Sequence, residues 1–129
     1  MNPKDALGIK KVNTFYIPKV AIFHLAGAHM DGARKYGPFN WREKPVQASI
    51  YLSAIDRHLA QWTEREEVAE DSLVHHLGHV MGGCSILLDA QAHGTLIDDR
   101  PKGNKFPEVL KWLNEQAQRK ADGLQKDRR

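Results

Sequence analysis

The chain predicts an all-α fold, on three observations. Apolar residues recur at helical spacing through three long segments, Gly37-Pro38 and the acidic link from Thr63 to Glu70 separate those segments, and few runs read as strand. The expected architecture is three longer helices and a short C-terminal fourth. At 129 residues the length suits one domain, able to bury roughly two-thirds of the surface its unfolded chain exposes. Residues 1–17 read as a leader, 18–118 as the helical domain and 119–129 as a polar, disordered tail.

Each element has its own justification. The leader lacks a consistent period and ends in Phe15, Tyr16 and Ile17, expected to dock on the domain. Pro18 suits the first turn of a helix, where its missing N–H matters least. From Val20 to about Lys35, the residues Val20, Phe23, Gly27 and Met30, with Ala21, Leu25 and Ala28, fit a helix packed on more than one side; Gly37 and Pro38 stop it. A second helix from Val46 to about Trp62 places Ala48, Tyr51, Leu52, Ile55, Leu59 and Trp62 on one face, with His58 at its edge. A third, from Ser72 to about Ala92, has Asp71 or Ser72 as N-cap, Gly94 as C-cap and a core stripe of Leu73, Leu77, Val80, Met81, Cys84, Leu87 and Leu88. Gly78, Gly82 and Gly83 each cost about 1 kcal/mol against alanine in a helix, so a backbone or a ligand should come close there. Pro107 starts the last helix, carrying Val109, Leu110, Trp112 and Leu113 inward.

Composition narrows the function classes. The net charge of +3 comes from basic ends, and no basic stripe enters the folded part, which argues against a nucleic-acid partner. A single cysteine, Cys84, excludes an intrachain disulfide and reads as a small core residue in a reducing compartment. Neither a membrane span nor a signal peptide is legible, so the expected location is cytoplasmic. Rossmann and P-loop glycine patterns are missing.

Chemistry concentrates in two stretches. KYGPFNWREKP sets Tyr36, Phe39 and Trp41 beside Lys35, Arg42 and Lys44, a flat surface for a base with cations for phosphate, or simply a loop whose aromatics cap the core. EREEVAEDSLVHHLGHV gathers Glu66, Glu67, Glu70 and Asp71 ahead of His75, His76 and His79, with Asp89 further along the helix. At 100° per residue, Ser72, His75, His76 and His79 share one flank, so two or three imidazoles can converge. Carboxylates suit a hard divalent cation, while the histidines could ligate a softer metal, act as a base or bind phosphate. The alternative is a solvated acidic turn whose carboxylates complement a helix N-terminus and satisfy the histidines. The order is not that of a zinc-protease helix, because His76 follows His75 where HExxH has glutamate.

Four blocks, GARKYGPFNWRE (32–43), AIDRHLAQW (54–62), EDSLVHHLGHVMGGCSILLDA (70–90) and GTLIDDRP (94–101), resemble the phage and bacterial dATP/dGTP diphosphohydrolase N-terminal-type domain, over roughly residues 18–101. That resemblance implies a MazG-like helical bundle that hydrolyses a nucleoside triphosphate, here a purine deoxynucleotide, to monophosphate and pyrophosphate with Mg²⁺ or Mn²⁺. It implies a homo-oligomer, dimer or tetramer. Carried over by position, Lys35, Tyr36, Asn40, Trp41, Arg42, Arg57, His58 and Arg100 would bind substrate, and Glu66, Glu70, Asp71 and Asp89 would hold metal. His76, His79 and Glu67 would serve catalysis. Glu66 stands where members have a Gly-Glu pair, and Asp71-Ser72 where they have Glu-Ser. Ala69 replaces an expected aspartate, and Glu67 and Glu70 satisfy only the first half of the MazG pattern of ExxE followed by ExxD. These departures motivate a second expectation, a module that binds nucleotide without turnover. A helical interaction protein with no small-molecule site is the third.

Overall fold

The structure, a computed structural model, describes residues 1–127 and is all-α apart from one two-residue strand pair. Helix α1 spans Pro3–Gly8, α2 Lys19–Tyr36, α3 Ala48–Thr63, α4 His76–His93 and α5 Phe106–Asp127. Strand β1 (Val46–Gln47) pairs in parallel with β2 (Leu96–Ile97), Val46 opposite Leu96. The chain divides into two compact units, Met1–Asp99 and a second that begins at Arg100 and holds α5.

Within the first unit, α4 packs on both α3 and α2. Its glycines explain how. A Cβ on Gly78 would lie 2.7 Å from the His24 carbonyl oxygen of α2, and one on Gly83 would lie 2.7 Å from Ile55 Cγ1 of α3. The glycines expected to mark a close neighbour therefore face two helices at once. Among the described residues, the buried apolar ones are small, Ala28, Val46, Ala48, Ala69 and Ala90, and the one large side chain fully enclosed is His76.

Close packing through small residues moves the apolar bulk elsewhere, and several expectations change. Leu73, before α4, and Leu88 are 74% and 68% exposed and Cys84 is exposed, so the anticipated core stripe is uncovered at these three positions, while Leu77, Val80, Met81 and Leu87 are half-buried. Leu52, Leu59 and Trp62 of α3 are partly exposed, while His58 is half-buried among Tyr51, Ala54 and Ile55. Phe15, Tyr16 and Ile17 do not dock; Phe15 and Tyr16 form a short exposed turn. In the second unit, Val109, Leu110, Trp112 and Leu113 remain exposed instead of turning inward, and α5 continues through Asp127 where a polar tail was expected. Residues 128 and 129 of that expected tail lie outside the described residues.

Helix ends show the local logic. Pro18 caps α2, one residue before its first turn, and Gly94 closes α4 in the left-handed conformation at φ 72°. The N-cap of α4 is neither Asp71 nor Ser72 but His75, whose Nδ1 accepts from the Leu77 N–H at 3.0 Å. Residues 68–75 fold back on themselves first: Val68 bridges His75, and the Ala69 N–H donates to the Val74 carbonyl at 2.9 Å. That turn holds the acidic cluster clear of the helix terminus, so no carboxylate stands in the first turn of α4. The cap of α3 comes from a distant residue. Asp99, just after β2, accepts from the Ser49 N–H at 2.8 Å and from Gln47 Nε2 at 2.9 Å, with a further bond from Ser49 Oγ. Donation by Ser49 and then Gln47 holds the Asp99 carboxyl below the usual range.

Candidate functional site

Because α4 separates α2 from α3, a cleft of about 420 Å³ opens between the two flanking helices, over the glycine face of α4. Its size lies within the range of about 300–1,000 Å³ common to small-molecule sites. Among its walls are Lys35, Tyr36, Asn40, Trp41, Arg57, His58, Asp71 and His79. Eight residues expected from the sequence to act on one ligand thus meet in one hollow. A smaller hollow of about 330 Å³ adjoins, bordered by Glu66, Glu70 and His76, and it shares Arg57, His58 and Asp71 with the cleft.

Two cations of the cleft differ in their partners. Lys35 Nζ is bridged between Asp31 Oδ2 at 3.1 Å and Asp71 Oδ2 at 3.3 Å. The pairing with Asp31, then Asp71, raises the Lys35 pKa, and Lys35 in turn lowers that of Asp71. Arg57 makes no ion pair among the described residues, although it borders both hollows. It is the cation whose charge is not already spent on a carboxylate.

Imidazoles converge on the boundary between the hollows. The His58 ring stacks on His79 at 4.5 Å and 19°, and its Nδ1 lies 2.8 Å from His76 Nδ1. On its other side His76 Nε2 meets Glu66 Oε2 at 2.7 Å, and Gln61 Nε2 donates to the same oxygen at 2.9 Å. Ser72 Oγ lies 2.7 Å from His79 Nε2. Burial, followed by the neighbouring His79, His76 and Arg57, lowers the His58 pKa from 6.5 to about 4, and burial lowers that of His79. An unfolded His58 takes up a proton below 6.5 while the folded one resists until about 4, so falling pH across that window favours unfolding.

Other expected site residues have other surroundings. His76 is fully enclosed with both ring nitrogens engaged, so it reaches the cleft only through His58. Of the imidazole flank, His75 leaves the group to cap α4 and face His24 and Glu67. Glu67 accepts from Trp62 Nε1 at 3.2 Å and lines neither hollow. Asp89 is occupied by Trp41 Nε1 at 2.6 Å and by Arg42 at 2.8 and 3.1 Å, which brings its pKa down to about 2, Arg42 acting most strongly. The pair fixes the aromatic loop on α4, and removes both Arg42 and Asp89 from the group around the acidic turn. Arg100 opens the second unit. Among the described residues, no three His, Cys, Asp or Glu side chains stand together as a ready-made metal cage.

Sequence reasoning missed Asp31. It is 8% exposed, borders the cleft and holds Lys35 from one turn earlier on α2. An acid in the middle of an otherwise apolar helix, four residues before a lysine, is the signal that identifies such a residue. His29 was also missed: its Nε2 lies 2.7 Å from Ser85 Oγ, and its ring leans on Trp41 at 5.4 Å.

The backbone of the acidic turn supplies one more observation. Arg65, at the place of the glycine in the Gly-Glu pair, has φ 79°, and Leu73 has φ 60°. Both are left-handed positions that favour glycine.

No helix among the described residues is long and apolar enough to cross a membrane. Comparison with curated proteins and with solved structures finds no match. The model of one family does match, over residues 1–100, which takes in the acidic turn, the cleft and the Asp99 cap. With more than three-quarters of its length matched, the chain belongs to the dATP/dGTP diphosphohydrolase, N-terminal family, whose name places it in nucleotide hydrolysis at the family level.

Proposed function

We propose that the chain hydrolyses purine deoxynucleoside triphosphates, dATP or dGTP, to the monophosphate and pyrophosphate in the cleft between α2 and α3. The observation that carries this reading is the shared wall: Arg57, Lys35, Tyr36, Trp41 and neutral imidazole border one hollow. Tyr36 and Trp41 offer faces to the base, Asn40 a polar edge, and Arg57 positive charge to the phosphates, with Lys35 held beside it by Asp31 and Asp71. His79 stacks behind His58 and keeps it in place.

A divalent cation enters this reading as part of the substrate. Mg²⁺ is commonly held by one or two carboxylates together with substrate phosphates, without an all-protein cage. The donor chemistry beside the cleft fits that arrangement, and Glu70 and Asp71 would hold Mg²⁺ or Mn²⁺ there. The ion supplies charge neutralisation for the triphosphate. Asp89 and Glu66, both expected to be metal ligands, are engaged by Arg42 with Trp41 and by His76.

The apolar face of α4, exposed at Cys84 and Leu88 and half-buried at Leu77 and Met81, supports a homo-oligomer, dimer or tetramer. Leu77, Met81, Cys84 and Leu88 follow one another at intervals of four, three and four residues, the spacing of a helix seam that packs on another helix. We place the protein in the cytoplasm. Light scattering at assay concentration reads the assembly; a monomer mass contradicts it.

Incubating the protein with dATP or dGTP and Mg²⁺ or Mn²⁺ should release pyrophosphate. No release from any common nucleotide removes the activity. One observation favours a second reading, a module that binds nucleotide without turnover: Ala69, where an aspartate was expected, is 3% exposed and offers no ligand. Calorimetry separates the two, since the module binds intact nucleotide and leaves it unchanged.

A further inference from the structure

A line of three side chains runs from the acidic turn to the cleft: Glu66, His76, His58. Hydrogen-bond polarity sets the proton positions along it. A carboxylate only accepts, so Glu66 Oε2 takes its bond at 2.7 Å from an N–H on His76 Nε2. In neutral His76 the other nitrogen, Nδ1, is then a bare acceptor, and the contact of 2.8 Å with His58 requires the proton to sit on His58 Nδ1. What remains at the end of the line is a lone pair on His58 Nε2. His58 borders both the cleft and the adjoining hollow, whereas His76 is fully enclosed.

We propose that His58 is the general base of the cleft, with His76 and Glu66 as positioning residues that fix its tautomer. The proposal rests on the reading of the cleft as a triphosphate hydrolase site. In the step, His58 Nε2 removes one proton from a water as the water oxygen bonds to a phosphorus of the α–β anhydride. The bridging P–O bond breaks with its electron pair on the departing phosphate oxygen. His58 leaves the step as an imidazolium and returns its proton to the departing group or to solvent, so atoms and charge balance. Stacking against His79 limits rotation of the ring, and Gln61 steadies Glu66 from α3.

Several groups face His58 and bear on its charge. His79 and His76 come from α4 and Arg57 from its own helix, all opposing protonation, while Asp71 from the acidic turn favours it. The balance keeps the base neutral at pH 7. Its base form is lost only as pH falls through about 4, so the acidic limb of kcat/KM should lie well below the 6.5 of an ordinary imidazole.

Two measurements test the assignment. Long-range proton–nitrogen NMR spectra of the full chain at pH 7 should show His58 as the Nδ1–H tautomer and His76 as Nε2–H. A His58 protonated on Nε2, as a charged His76 would impose, overturns the proposal whether or not the protein is active. In pyrophosphate-release assays, His58→Gln should lower kcat by about 10²–10⁴-fold, the usual share of general acid–base catalysis, with KM within about threefold. Glu66→Gln can donate to His76 Nε2 and reverse both tautomers, so it should lower kcat with KM retained and restore an Nε2–H signal on His58. Activity of His58→Gln within about threefold of the unsubstituted protein overturns the proposal. If His58→Gln fails to fold, the Glu66→Gln kinetics and the nitrogen spectra decide it. If the unsubstituted protein releases no pyrophosphate, the hydrolase reading fails and the base assignment falls with it; a correct tautomer alone does not rescue either.

Discussion

The two faces of α4 are built from opposite materials. Toward α2, α3 and the cleft it presents Gly78, Gly82, Gly83, His76 and His79; on the far side it presents Leu77, Met81, Cys84 and Leu88. An ordinary amphipathic helix buries its bulk and exposes its polar groups. Here small residues take the packed side, which lets two helices approach α4 closely while the space above it stays open. The histidines occupy what a conventional core would fill with leucine. The contrast teaches that apolar periodicity marks a face without saying what covers it.

Substitutions on each face can break the contrast. The largest effect is expected at Gly78, where Val in place of glycine drives a branched side chain into the His24 carbonyl, 2.7 Å from the first added carbon. Gly78→Val should lower stability by about 1–3 kcal/mol, as overpacking does, measured by urea denaturation. Next comes the cap that ties the DDRP segment to α3. Asp99→Ala removes the acceptor for the Ser49 N–H and should cost about 1 kcal/mol by the same measurement. A smaller effect of opposite sign is expected in the acidic turn: Leu73→Gly relieves φ 60° at an exposed residue and should add about 0.5–1 kcal/mol. Smallest of all is the far face. Leu88 is 68% exposed in the single chain, so Leu88→Lys should change monomer stability by no more than about 0.5 kcal/mol, while lowering the mass seen by light scattering. A large loss of stability with unchanged mass would show that this face is packed within one chain.

Local features were the legible part of the fold. Pro18, Gly37-Pro38 and Gly94 mark helix ends by backbone chemistry that needs no partner, and all three stand at or next to the observed boundaries. The three glycines of α4 announced a close neighbour, and the structure supplies two helices. Long-range choices were not legible. Nothing in the spacing of Asp71, Ser72 and His75 says that 68–75 fold back before α4 begins, so the spacing points to Asp71 or Ser72 where His75 is the cap. The motif blocks brought Lys35, Tyr36, Trp41, Arg57, His58 and His79 to one cleft, yet Arg42 and Asp89 satisfy each other across 47 positions of sequence. Helical spacing places His58 only at the edge of a helix face. Its role in the line from Glu66 needed two hydrogen bonds, at separations of 18 and 10 residues, that no periodicity encodes.

The most direct test of the cleft as a triphosphate site is phosphorus NMR of dATP and dGTP incubated with the protein and Mg²⁺ or Mn²⁺, beside the same mixture with Arg57→Ala. The account predicts monophosphate and pyrophosphate in equal amounts from the unsubstituted protein, and a rate at least tenfold lower from Arg57→Ala. Orthophosphate with diphosphate, unchanged nucleotide, or an Arg57→Ala variant as fast as its parent would contradict it.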